Sequence, residues 1–213
     1  MADVIAPNFH LMMASAVIFA LAMLCYIGWR FGGPDALAFA IVSGFFTASM
    51  DFISAFVVQN YEYPGQSQLW VFAFILFGWI GMCGSCLLIA EGILSQPGKD
   101  MLTQPQLWWQ VPILTGVIAV TLDLFIDPIA VQAGYWVWFI KGTVYYEIPL
   151  LNFVGWFALM ALASFGWILI ARRRDWGYKM KGIISIAALL PLSVAAIGLS
   201  LLLNHMVDSL GLQ

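Results

Sequence analysis

Charge is what this sequence has least of. Lys and Arg total 8 and Asp and Glu 11 in 213 residues, so charged side chains make up 9% of the chain while 63% is hydrophobic. With a mean hydropathy of +0.94, that balance excludes a soluble domain. So few cations also exclude the extended basic surface that nucleic-acid binding needs. Histidine is as scarce: His10 and His205 lie near opposite ends, with no Cys or second His at ligand spacing, which argues against a metal site. The three cysteines, Cys25, Cys83 and Cys86, all fall in apolar runs and do not form a disulfide framework of outer loops. No Lys or Arg precedes the first apolar run, so that run reads as a retained span rather than a cleaved signal.

Long apolar runs are what the chain does have. At about 20 residues per spanning helix, six spans are predicted: Phe9 to Arg30, Ala36 to Val58, Leu69 to Ala90, Trp108 to Ala130, Pro149 to Ala171 and Ile183 to Leu203. Counting short or re-entrant helices would make seven. The fold class is an all-α polytopic transmembrane bundle, one integral membrane domain over residues 1–213. Gly32-Gly33-Pro34-Asp35 forms a turn, and Pro191 is expected to kink the last span. Arg30, Lys99, Arg172, Arg173, Arg174, Lys179 and Lys181 fall on one side and Lys141 alone on the other. By the positive-inside rule the first side is cytoplasmic, so the expected location is the cell (inner) membrane with both termini outside. Trp70, Trp108, Trp109, Trp136, Trp138 and Trp176 near span ends fit interfacial belts, and the arginine cluster fits anionic headgroups.

Against this background the intramembrane acids stand out. Asp123 and Asp127 share a helix face four residues apart, and Pro128 follows the second. Asp51 in the second span is placed at similar depth in the outward half, and Glu62 and Glu147 come from outer loops. At least some of these carboxyls are expected to hold a proton, since neither lipid nor a neighbouring charge favours ionisation. A weak internal echo joins the two halves: Asp51 is followed by Val58-Gln59, Tyr61 and Phe77-Gly78-Trp79, and Asp127 by Val131-Gln132, Tyr135 and Val154-Gly155-Trp156. The plain alternative is that Thr121, Gln132 or Asn152 satisfies the acids in helix packing, and that Glu147 pairs with Lys141 on the surface. Cys83-Gly-Ser-Cys86 has redox spacing, but Gly78, Gly81, Gly84 and Ser85 beside it read better as a small-residue packing stripe. Gly28 and Gly32 likewise read as a close-contact feature.

Asp123-x3-Asp127-Pro128, Gly134-Tyr-Trp136, Gly142-x2-Tyr145-Tyr146-x2-Pro149 and Asn152-Phe153-x-Gly155-Trp156 together resemble the membrane carotenoid-biosynthesis family that contains the carotenoid 1,2-hydratases, including the bisanhydrobacterioruberin hydratase type. The first half departs from it. Where family members usually carry a glutamate and then a Gly-rich Phe-Gly-x-Tyr-x-Tyr-like stretch, this chain has Asp51 and Asn60-Tyr61-Glu62-Tyr63-Pro64. The resemblance implies a hydro-lyase that needs no cofactor and adds water to the terminal C=C bond of an acyclic carotenoid. Asp123 or Asp127 would then donate the proton, Asp51 or Glu147 would handle water, and Trp136, Tyr145, Tyr146, Asn152 and Trp156 would line the substrate site. The expected partners are a lipophilic polyene or isoprenoid in the bilayer and membrane lipids, with room for an oligomer or a larger complex. Three other functions fit the same acids: a polyprene cyclase or isomerase, a noncatalytic pigment- or lipid-binding subunit, and a proton-coupled transporter.

Overall fold

The computed structural model describes residues 9–140 and 143–209. Six helices in it are long and apolar enough to cross a membrane: Phe9–Phe31, Gly33–Val58, Gln68–Leu94, Leu107–Gln132, Leu150–Ala171 and Tyr178–Ser209, the last with its apolar window ending at Leu203. The chain is therefore an all-α, multi-pass membrane protein, and the helices coincide with the six predicted spans to within a few residues. Lys141 and Gly142 lie outside the described residues.

The second span is the structural hub. It packs against the first, third, fifth and sixth, while the third to sixth also pack each against the next. It is also the irregular one, with π-helical segments at Ala40–Phe45 and Ser54–Val58 flanking the α-helix Phe46–Ile53. A π turn carries one extra residue and is often found beside functional groups. Here both flank the turn that carries Asp51. Close approach elsewhere depends on small residues. A Cβ on Gly81 would sit 2.5 Å from the Phe19 ring, and one on Gly84 3.2 Å from Met23. The small-residue stripe of the third span is therefore its contact with the first. Cys83 and Cys86 are buried, free thiols within that helix, and Cys25 is exposed. Gly28 likewise approaches Ala36, 3.5 Å from a built Cβ.

The two ends of the bundle differ chemically. At one end Asp35 and Lys181, each about 2% exposed, form a buried ion pair. Arg174 lies 3.7 Å from Asp35 and 3.8 Å from Asp100, and Arg30 grips Glu91 through two bonds of 2.6 and 2.9 Å. Glu91 also accepts the Met101 backbone N–H at 2.8 Å, which pins the following loop. Asp35 therefore does more than form a turn. Trp167 fills this end, its ring edge-on to Phe31 and Phe39 and its indole N–H on the Asp35 carbonyl at 3.0 Å. At the other end two loops are stitched by short strands: β1 (Tyr61–Glu62) pairs antiparallel with β2 (Val137–Trp138), and β3 (Thr143–Tyr145) with β4 (Ile148–Pro149). Tyr146 and Glu147 make the tight turn of the β3–β4 hairpin, with φ of 46° and 64°.

Candidate active site between the second, fourth and fifth spans

Asp123 and Asp127 lie one helical turn apart on the buried face of the fourth span. Pro128 denies that helix one backbone N–H and so takes from the Leu124 carbonyl its usual i+4 donor. Asn152, in the first turn of the fifth span, points its amide nitrogen at both acids, with 2.6 Å to Asp123 Oδ2 and 2.6 Å to Asp127 Oδ2. Its two N–H groups thus divide between two carboxyls. The remaining Asp123 oxygen, Oδ1, is buried and accepts no hydrogen bond among the described residues. The two carboxyls also interact with each other. Two bare carboxylates side by side inside an apolar bundle would repel each other without compensation. The Trp136 indole, carried on the loop after the fourth span, also reaches Asp127. Of Thr121, Gln132 and Asn152, it is Asn152 that binds the acids. Thr121 instead donates to the Val117 carbonyl from an exposed position.

Asp51 faces this pair from the second span. Both of its oxygens are engaged: Trp79 Nε1 donates to Oδ2 at 2.7 Å and the Tyr61 hydroxyl to Oδ1. Two donors to one carboxyl fix its orientation. Trp79 in turn lies against Trp156, with ring centroids 4.7 Å apart, and Trp156 stands one turn after Asn152 on the fifth span. The residues form a closed circuit. From Asp51 it runs through Trp79 and Trp156, then one turn along the fifth span to Asn152 and the acid pair, and returns through Trp136, Tyr63 and Tyr61, whose rings touch in that order. The two tryptophans of the internal echo, Trp79 and Trp156, meet here, and β1 joins β2 beside them.

Tyr63 has no role in the sequence reading, yet it sits inside the circuit. It is 8% exposed, and its ring contacts Tyr61, Phe74 and Trp136 at 5.7, 6.4 and 5.9 Å between centroids. Burial, and then the charges of Asp51 and Asp127, push its phenol well above the usual tyrosine range. The hydroxyl therefore stays protonated. The signal that would have found it is the alternation along Tyr61-Glu62-Tyr63: residues i and i+2 share a face of an extended segment, and here both tyrosines turn inward while Glu62 is exposed.

The remaining candidates are placed differently. Glu62, on β1, and Glu147, in the turn between β3 and β4, are exposed and do not join the acids. Tyr145 and Tyr146 are also exposed, in contact with each other and, through Tyr145, with Phe153 beside Asn152. The pairing of Glu147 with Lys141 falls outside the described residues. Among the described residues, no three His, Cys, Asp or Glu side chains are grouped as metal ligands.

Paired carboxyls enclosed by aromatic rings near one end of a membrane bundle define a membrane protein with a buried acid site. The family model described as carotenoid biosynthesis protein matches residues 8–210, almost the whole chain, and the protein belongs to that family. Neither a curated protein nor a solved structure matches it.

Proposed function

We propose that the Asp123–Asp127 pair protonates an isolated C=C bond of an acyclic carotenoid or related isoprenoid, and that water adds to the resulting cation. The carboxyl proton goes to the less substituted alkene carbon and leaves a tertiary cation on its neighbour. Water attacks that carbon through oxygen, and the oxonium so formed loses its proton to Asp51, so one molecule of water is added in all. Membership of a carotenoid-biosynthesis family supports the substrate class. The observation that carries the chemistry is Asn152 bridging two buried acids at 2.6 Å each, with Asp51 opposite, accepting from Trp79 and Tyr61.

Asn152 would fix the orientation of both acids without itself exchanging protons. Trp79, Trp156 and Trp136 would present ring faces to the cation, each such contact contributing roughly 0.5–2 kcal/mol. Tyr145 and Tyr146 would meet the polyene nearer the surface. A substrate this apolar would enter sideways from the bilayer. Asp51 is assigned the water-handling role in preference to Glu147, which is exposed.

The test is expression in a host that accumulates an acyclic carotenoid with intact terminal double bonds, followed by mass analysis of the extracted pigment. A gain of one water per modified end is expected, and Asp127→Asn should abolish it. An unchanged pigment with the unaltered protein would overturn the reading. A product of unchanged mass with a shifted absorption band would replace it with cyclisation or isomerisation, in which the cation is captured by a neighbouring double bond.

A further inference from the structure

Each turnover of the proposed hydration leaves a proton in the wrong place. Alkene protonation empties the Asp123–Asp127 pair, while deprotonation of the captured water loads Asp51 on another helix. The site resets when Asp51 has lost that proton and the pair has regained one, and the shortest route is a transfer from Asp51 to the pair. We infer that Tyr63 carries this return, its phenol oxygen accepting a proton that starts on Asp51 while its own proton passes to Asp127, each through a bridging water. The inference rests on the hydration reading.

Position is the first argument. Tyr63 is held by rings on three sides, Tyr61, Phe74 and Trp136. Tyr61 is bound to Asp51 and Trp136 interacts with Asp127, so the Tyr63 ring is clamped between the partners of the two acids. Availability is the second. The Tyr61 hydroxyl is committed to Asp51, whereas the Tyr63 hydroxyl makes no hydrogen bond among the described residues. Both carboxyls act on it electrostatically from opposite helices. Chemistry is the third. A phenol that resists ionisation still relays a proton by taking one as it gives one, and no phenolate forms. The balance is one proton lost by Asp51, one gained by Asp127 and none by Tyr63.

The test compares first and later turnovers of the purified full-length protein with an acyclic carotenoid in detergent micelles. Tyr63→Phe keeps the ring and removes only the hydroxyl. It should form about one product per protein at the normal rate and then slow about 10²-fold, with KM unchanged. Tyr63→His, whose neutral imidazole both donates and accepts, should recover most of the later turnovers. Tyr63→Met is read in place of Tyr63→Phe should the latter not fold. Later turnovers as fast as those of the unaltered protein would overturn the relay, as would a loss of the first turnover or an equal slowing in Tyr63→His. Absence of hydration by the unaltered protein would instead remove the reading on which the relay rests.

Discussion

Asn152 is the residue on which the geometry of the acid pair turns. Its single amide nitrogen serves both carboxyls, and no residue of similar size without two N–H groups could do so. Asn152→Leu keeps the volume and strands both acids. It should cost about 1–3 kcal/mol for the lost buried donors, seen as a lower thermal midpoint in detergent. It should also cut carotenoid hydration about 10²-fold, because the donor is no longer held in line. Trp79→Phe should be milder, since it removes one of the two donors to Asp51 but keeps a ring against Trp156; product yield is expected to fall about tenfold with little change in the melting midpoint. Legibility at this scale follows how local each signal is. Asp123 and Asp127 are readable because four-residue spacing in an apolar run implies a shared helix face, and Asn152 because its motif lies close by. Tyr63 is not, since its orientation is set by β1 pairing with a loop more than 70 residues away in sequence. Asp35 is misread as a turn residue for the same reason: its partner, Lys181, comes from the other end of the chain.

Among the elements, the fourth and fifth spans carry the acids and their bridge, and they approach closely at Gly116. A Cβ there would lie 2.8 Å from the Phe157 ring and 3.0 Å from the Phe157 carbonyl oxygen, a backbone atom that cannot swing aside. Gly116→Val should therefore push the two helices apart and cost about 1–3 kcal/mol. Gly155→Ala, where an added Cβ meets nothing within 4 Å, should leave the thermal midpoint unmoved. Because Asp123 follows Gly116 by two turns, the valine variant should also lose hydration activity out of proportion to its stability loss. A parallel fall of the two would mean that the interface is only structural. The spans themselves were legible because twenty apolar residues admit few other structures in lipid. The π turns of the second span were not, since an inserted residue leaves no mark in apolar periodicity when all sides of the helix are apolar.

Across the whole molecule, the two ends of the bundle divide the labour. One end spends its charges on pairs that lock loops and helices: Asp35 with Lys181, Arg30 with Glu91, and Arg174 between Asp35 and Asp100. Lys181→Met leaves Asp35 buried with only Arg174 at 3.7 Å and should cost about 3–5 kcal/mol, whereas the double change Asp35→Leu with Lys181→Met should recover most of that loss. The other end holds acids with no cation against them among the described residues, which is why it reads as the reactive end. The same asymmetry predicts an orientation that labelling can test. Every Lys and Arg of the described residues falls at the locked end or in the loops beside it, so that end should face the cytoplasm. With Cys25 replaced by Ser and Cys83 and Cys86 buried, a membrane-impermeant maleimide should label Glu62→Cys in intact cells. It should label Gln96→Cys only after permeabilisation, both positions being exposed in loops at opposite ends. The reverse pattern would turn the bundle over and supply the water for the acid site from the cytoplasm. The predicted pattern supplies it from outside, across the β1–β2 loops, to a site whose substrate arrives through the lipid.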